Sequence, residues 1–581
     1  MAEPTIQLGG GNWAGKTDNL LGYYKEGERF YKQDFTFSRS TTGTYTDSDG
    51  YIQEMPYNLL TYSEDYNQSN WYKAGLTVNT NQILSPDGSL NADEINITAA
   101  NAHYLFDIIS VSASTNYVLT FYAKKGTASD VSYSVYDNSN STDIITSTSY
   151  YNQISNTEWT RISVEFTTPS GCTSLRPYPL RDGSSTGTIY IWGIQLVKGT
   201  TAKTYFPTTT RLNMPRVDYL NNSNGSLILE PQRSNLITHS SDFSAWTKEN
   251  VTNGSNVNTS PDGTENADTV IDSATNTRHI NYLSFTGNLA TERTLSVYAK
   301  QNSLRYLFLS VTNSGDSNCY SAIFDLQSGV VSATKVNGSA TNSASIQSMG
   351  NGWYRCIISG TMTTGTTSFF PLIGTSDRSG FTGSLQNNNA PIYTGSGQSI
   401  YLWGAQLEEG SYPTTLINTS GSSVTRNQDA CSISNVADRI NSSEGVLFAE
   451  ISALNDDLTN RAISLSDGTL NNGIHIEYFN VSNRIRFRVY AGGVLRATIQ
   501  AIGITITNTN KLALKWESGF MTVYINGTIV NTAQAIAATP TGLDRLKFDL
   551  GQGSSKFIGK ANQIQVYSTA LSNSELAELT T

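Results

Sequence analysis

The chain has 581 residues, with 37 Lys and Arg against 47 Asp and Glu, a formal net charge of −10 and four scattered cysteines. This balance lacks the basic footprint that binding to a nucleic-acid backbone requires. No apolar run reaches the roughly 18 residues of a membrane span, so no membrane insertion is expected. Charged residues are only 14 % of the chain, and Ser, Thr, Asn, 47 Gly and 32 Tyr make up much of the rest, which is not the high-charge, aromatic-poor profile of a disordered chain.

At this length roughly three to five domains are expected. Residues 1–57 differ from the remainder. Gly9-Gly10-Gly11 breaks any regular element, aromatics mixed with charges follow through Tyr23, Tyr24, Phe30 and Tyr31, and Asp47-Ser48-Asp49-Gly50 marks a turn between strand-like runs. Two readings stand: an arm that attaches to a larger assembly, or a β-ribbon covering the first domain. Met1-Ala2-Glu3-Pro4 has no basic or apolar leader, so synthesis in a cytoplasm is expected.

Two repeats follow, 58–207 and 235–415. Asn58-Leu59-Leu60-Thr61 matches Asn235-Leu236-Ile237-Thr238, Ser85-Pro86-Asp87-Gly88 matches Ser260-Pro261-Asp262-Gly263, and His103 matches His279. Tyr122-Ala123-Lys124 matches Tyr298-Ala299-Lys300, and Trp159-Thr160-Arg161 matches Trp353-Tyr354-Arg355. Each copy closes on one strand, Tyr190-Ile191-Trp192-Gly193-Ile194-Gln195-Leu196 or Tyr401-Leu402-Trp403-Gly404-Ala405-Gln406-Leu407. Strict alternation would put Trp192 with Ile194 and Leu196, and Trp403 with Ala405 and Leu407, leaving each Gly opposite for a close approach or a bulge. The second copy is longer after Tyr298, with loops at Asn313–Asn318 and Asp377–Gly397 as the candidate insertions. Short alternating runs between Gly, Asn and Asp turns predict an all-β class: antiparallel β-sandwiches, two of them jelly rolls.

A hairpin linker at 208–234 joins the rolls, and a Gly/Ser/Thr-rich linker covers 416–439. Residues 440–581 read as a different sandwich, with clean alternation in Arg484–Tyr490 and an Asn526-Gly527 hairpin turn. Ser572 and Glu575 form a capping box that opens a short terminal helix with Leu576 and Leu579 on one face.

Sugar rings stack on exposed aromatics. Trp71 and Trp246, in Asn/Ser-rich segments, are therefore the candidate glycan-binding residues, although packing competes as their role. Trp192, Trp403, Trp159 and Trp353 read as structural. Asp87, Asp93, Asp262 and Asp268 are candidate oxygen ligands for a structural Ca2+, against the plainer reading of Asp-Gly turns. No catalytic residue is assigned. His103 and His279 share a position but lack a second His or Cys nearby, which favours local hydrogen bonding over acid–base or metal chemistry. No serine elbow, phosphate loop or zinc motif occurs. The cysteines read as buried thiols, with a Cys319–Cys356 bond as the alternative.

The Asn-Leu-Leu-Thr opening, the Ser-Pro-Asp-Gly turn and the Trp-Gly-x-Gln-Leu strand resemble those of carbohydrate-binding-module-like jelly rolls in phage virion proteins. Phe37-Ser38-Arg39 through Tyr45 is similar to a lead-in of head-spike and tail-fibre proteins. Pro215-Arg216-Val217-Asp218-Tyr219 with Leu229-Glu230-Pro231-Gln232-Arg233 resembles the join in the same proteins, so the first roll reads as an insertion. The last domain resembles concanavalin A-like (laminin-G-like) sandwiches through Tyr524-Ile525-Asn526-Gly527 and Tyr567-Ser568-Thr569-Ala570-Leu571. The resemblance implies a structural, adhesive protein of the virion surface. Its arm would join other virion proteins of the head or tail, its sandwiches would bind host surface glycans, and the assembly would be a homotrimer. The rival readings are a polysaccharide-degrading spike and a ligand-free decoration protein.

Overall fold

The computed structural model describes residues 2–10, 14–16, 19–26, 29–39, 41–55, 58–203, 205, 207–208, 215–362 and 366–581. Gly11, residues 56–57 at the expected end of the arm, and 209–214 of the expected linker lie outside them. The chain is a succession of antiparallel sheets, with one α-helix, Asn573–Thr580, among the described residues. It divides into two compact units. One holds residues 15–20 and 55–215; the other holds 1–14, 21–54 and 216–581, so the first roll interrupts the second unit in sequence.

In the first roll, one sheet runs in the order Thr160–Thr167, Asn116–Lys125, Gly187–Lys198, Leu90–Ile97 and Leu76–Leu84. The facing layer is a four-stranded sheet, Ile109–Ser110, Ser174–Tyr178, Ser132–Asp137 and Thr142–Ser149, beside a three-stranded one, Leu180–Arg181, Tyr104–Phe106 and Tyr72–Ala74. Alternation fills the space between the layers: Leu119, Phe121 and Ala123 from one sheet meet Leu105, Val135 and Leu175 from the other in one buried cluster.

The second roll repeats this order. Its sheet runs Val251–Thr259, Glu265–Asp272, Ser399–Glu409, Arg293–Gln301 and Trp353–Gly360, with one added edge strand, Ser343–Ser348. The first extra stretch of the second copy is thus not a loop at Asn313–Asn318, which is a turn. It is two added strands, Val330–Asn337 and Ser343–Ser348, extending one edge of each sheet.

The closing strands depart from strict alternation. Register shifts between Thr120 and Tyr122 on one roll, and between Ser296 and Tyr298 on the other, opposite Gly193 and Gly404, which adopt φ of 64° and 60°. Each is a bulge with glycine in the left-handed region. It carries Ile194, Leu196, Ala405 and Leu407 to the inner core while Trp192 and Trp403 turn to the outer side. There Trp403 packs edge-on against Tyr298 at 5.3 Å, and Trp192 lies 5.4 Å from Tyr122. A substituent on Gly404 would lie 2.8 Å from Tyr298, so that packing requires glycine.

The last sandwich incorporates the N-terminus. Ile6–Gly9 pairs with Gly559–Tyr567 (Ile6 opposite Val566), and Thr36, Phe37 and Ser38 pair with Ser432, Cys431 and Ala430. The segment read as an attachment arm is therefore in part strands of the C-terminal sheet, because Ile6, Leu8, Phe35 and Phe37 are apolar enough to be buried there. Within the expected linker, Val217–Asp218 pairs with Ser226–Leu229, and the second strand continues onto Gly559–Tyr567 of the C-terminal sheet. The Asn526-Gly527 turn and the Ser572/Glu575 capping box form as the sequence predicts.

A buried ionic knot ties these segments. Arg39 reaches Asp429 at 3.0 Å, Arg216 bridges Asp429 at 2.5 Å and Glu230 at 2.6 Å, and Arg426 pairs with Glu230. Burial alone would raise the Glu230 carboxyl, but Arg426 and Arg216 outweigh it and hold it at about 2. Arg39 of the lead-in and Arg216 and Glu230 of the join meet here with Arg426 and Asp429 of the 416–439 linker. All four cysteines are buried free thiols, so Cys319 and Cys356 are not bonded.

Candidate functional site

The first roll carries an outward face of aromatics and arginines. In Tyr104–Phe106, Leu105 enters the core, so Tyr104 and Phe106 point away from it. Trp71, Leu175, Leu180 and Val135 are likewise core residues, which turns Tyr72, Arg176, Arg181 and Tyr136 to the same outer side. Tyr72 is 50 % exposed and Tyr104 38 %. The Tyr72 and Phe106 rings stack at 5.0 Å, and Phe106 lies 4.7 Å from Tyr178. Arg176 sits over Phe106 at 5.1 Å and over Tyr136 at 5.5 Å; Arg181 sits over Tyr178 at 4.9 Å.

Arg181 is held by Asp143 and donates to Ser134 Oγ at 3.1 Å. No carboxylate pairs with Arg176 among the described residues, and its buried Nε has no hydrogen-bond partner there. At the rim, Asn70 Nδ2 donates to Asp107 at 3.0 Å. The face thus offers two exposed tyrosine rings, a fixed ion pair and a guanidinium that no carboxylate among the described residues neutralises, a combination able to stack on and hydrogen-bond to a sugar.

The second roll roofs the equivalent face in part, leaving a pocket of about 230 Å3 between Ile280, Tyr282, Phe370, Leu372 and Asn388. Thr247, Ile280 and Tyr282 replace Tyr72, Tyr104 and Phe106, and the loop expected at Asp377–Gly397 packs against Ile280 and Tyr282. Ala390 joins Ile280, Phe308, Ile323 and Leu372 in a buried cluster, with Phe381 packed against it. Asn389 Nδ2 donates to Ser321 Oγ at 3.3 Å, and Ser310 Oγ to Asn388 O at 3.3 Å.

The residues predicted as sites take other places. Trp71 and Trp246 are each only 2 % exposed, and their Nε1 groups donate to Tyr62 O at 3.2 Å and His239 O at 3.1 Å. They anchor the core and offer no ring face to a sugar; their short polar surroundings are turns folded over them. Asp87 and Asp262 close their own turns by accepting from Ser89 N and Thr264 N, both at 2.8 Å. Asp93 accepts from Tyr66 N and Asn81 N, and Asp268 from Phe243 N and Asn256 N, at 2.9–3.1 Å. Burial pushes Asp93 up to about 6 and raises Asp268 too. The Asp93 and Asp268 carboxylates thus each hold two backbone N–H groups, which fixes the loops before Asp93 and Asp268. Among the described residues no three His, Cys, Asp or Glu side chains gather as metal ligands. His103 hydrogen-bonds Ala99 O at 2.8 Å and accepts from Gly183 N at 3.3 Å; His279 lies 2.8 Å from Asn250 O and 3.1 Å from Tyr393 O. Both imidazoles serve local backbone.

The larger unit contains a cavity of about 770 Å3, lined in part by Asp218, Glu230, Glu450, Arg355, Lys560 and Asn562. Its acids are engaged: Asp218 with Lys560 at 2.7 Å, Glu450 with Asn562 at 3.1 Å, and Glu230 in the ionic knot.

Sequence reasoning missed Tyr72, Tyr104, Phe106, Arg176 and Arg181. The usable signal was the neighbour rule: a core Trp71 or Leu105 sends its flanking tyrosines outward.

Residues 426–577 match the family model of the concanavalin A-like lectin/glucanases superfamily. No curated protein matches the chain. Among solved structures, the chain is similar to the CBM40 of a Ruminococcus gnavus IT-sialidase bound to α2,3 sialyllactose, with 19 % identity over 24 % of this chain and 84 % of that one and a TM-score of 0.22. It is also similar to the enzymatically active domain of tailspike protein 4 of bacteriophage CBA120, with 18 % identity over 25 % of this chain and 22 % of that one and a TM-score of 0.21. The CBM22-1–CBM22-2 tandem of Paenibacillus barcinonensis Xyn10C matches at 11 % identity over 61 % of this chain and 98 % of that one, with a TM-score of 0.20. The chain is a multidomain all-β protein of antiparallel sandwiches whose C-terminal part matches the concanavalin A-like family.

Proposed function

We propose that the protein is a glycan-binding structural component of a phage particle surface, and that the first roll holds its principal sugar site. The observation that carries this reading is the pair of exposed rings, Tyr72 and Tyr104, backed by buried Phe106 and Tyr178 and flanked by Arg176 and Arg181. A saccharide ring would lie on Tyr72 and Tyr104 while Arg176 hydrogen-bonds its oxygens. Binding is favoured over hydrolysis because the carboxylates beside the stack are engaged, Asp143 with Arg181 and Asp107 with Asn70 and the Ile108 amide, and a glycosidase needs one carboxyl able to give up a proton. Weak single sites suit a particle that displays many copies. We also propose the trimer, whose neighbours would cover sheet edges such as Val494–Ile502.

The test is a glycan array followed by titration calorimetry on the best hit. Tyr72→Ala/Tyr104→Ala is expected to weaken binding by about tenfold or more without lowering Tm, since both rings are half exposed. Unchanged affinity in this variant overturns the site. Release of new reducing ends from host polysaccharide would favour the degrading spike, and absence of the chain from purified particles would remove the virion role.

A further inference from the structure

The two rolls differ at a second place, the tip of the Ser-Pro-Asp-Gly turn. Trp159 Nε1 donates to Leu84 O at 2.9 Å, and Trp353 Nε1 donates to Thr259 O at 3.0 Å, so the two tips are built alike. On the second roll a hairpin of this chain, Gly43–Thr46 with Ile52–Met55, covers the tip. Ile52 N donates to Pro261 O at 2.9 Å, and the Tyr51 ring stands 3.0 Å from where a Cβ on Gly263 would lie. Ile52 shares a buried cluster with Trp353, Trp403, Tyr298, Ala267 and Leu416. Pro261 is buried and Trp353 is 2 % exposed as a result.

Among the described residues the first roll's tip has no such cover. Pro86 is exposed, nothing stands within 4 Å of a Cβ on Gly88, and Trp159 is only half-buried. Where the second roll has Thr259 opposite Glu265, the first has Leu84 opposite Leu90, and these leucines are 60 % and 61 % exposed. The bare tip is therefore the more apolar of the two. Paired leucines left in water beside a tryptophan, on a framework that elsewhere accepts a hairpin, indicate a surface awaiting a polypeptide partner.

We propose that the tip of the first roll docks a β-hairpin of another protein, one whose edge presents an aromatic residue followed by an aliphatic one, as Tyr51-Ile52 does. Its amide would bond the Pro86 carbonyl, its aromatic ring would cover Gly88, and its aliphatic side chain would pack on Leu84, Leu90 and Trp159. The chain's own hairpin is not the occupant, because it is engaged on the second roll.

The probe is a synthetic peptide of residues 43–55, cyclised through added terminal cysteines, with a photo-crosslinking residue in place of Ile52. It is titrated against the full chain. Saturable binding is expected, with cross-links on Leu84, Leu90 or Trp159. Leu84→Thr/Leu90→Glu, which installs the second roll's own residues at exposed positions, is expected to weaken binding by about tenfold or more. The proposal is overturned by no binding below about 1 mM, by cross-links confined to the second roll, or by unchanged affinity in the double variant. Retention of glycan binding by that variant keeps this test separate from the sugar site.

Discussion

Gly404 and Glu230 show how single residues hold this chain together by different physics. Gly404 combines a φ of 60° with a contact that leaves no room for a Cβ. Gly404→Ala is expected to cost roughly 2–3 kcal/mol, from left-handed strain plus overpacking against Tyr298. Gly50, at a φ of 88° with nothing within 4 Å, carries only the first of these, so Gly50→Ala should cost roughly 1 kcal/mol. Urea unfolding of both variants separates strain from packing; equal losses would contradict the bulge account.

Glu230 is held at about 2 against an ordinary 4.5. A depressed carboxyl stabilises the fold above its unfolded pKa, and that contribution is lost as pH falls. The larger unit should therefore lose stability progressively between pH 4.5 and about 2. Glu230→Gln leaves three buried arginines facing one carboxylate and should cost about 3–5 kcal/mol at neutral pH, with a flatter acid profile by calorimetry.

At the scale of elements, the duplication kept strand order and bulge but changed what covers each sheet. The Asp377–Gly397 loop covers an apolar face in the second roll, whereas the first roll leaves an amphipathic one open. Replacing that loop with the short connection of the first roll should expose Phe308, Ile323 and Leu372. A marked rise in dye binding to apolar surface, with a native-like far-UV spectrum, is the expected result. If the shortened protein gained no such surface, the loop would not be a roof.

At the scale of the whole molecule, the N-terminus is stitched into the last sandwich by Ile6–Gly9 and by Thr36, Phe37 and Ser38. Deleting residues 1–10 removes buried Ile6 and Leu8 and reopens a sheet edge. Scanning calorimetry should show the transition of the larger unit falling by several degrees while that of residues 55–215 stays in place. A shift in both transitions alike would mean that the two units do not melt independently.

The sequence alone determined the repeat, the sandwich class, the hairpin turns and the helix cap, because these follow from local alternation, turn chemistry and self-similarity. Arg39, Arg216 and Glu230 lay within stretches that resembled a lead-in and a join, but their mutual pairing was not legible, since they are brought together from distant parts of the chain. Tertiary structure decided which aromatics face water. Trp71 and Trp246 sit among polar neighbours yet plug cores, while Tyr72 and Tyr104, one position removed or flanked by a core leucine, stay exposed on either side of Phe106. One glycine in a left-handed conformation reverses the sides of every later residue in the closing strand, and no period-two pattern contains that event. Whether a face is roofed by a loop or a hairpin from elsewhere in the chain is likewise a property of long-range packing, which local sequence does not encode.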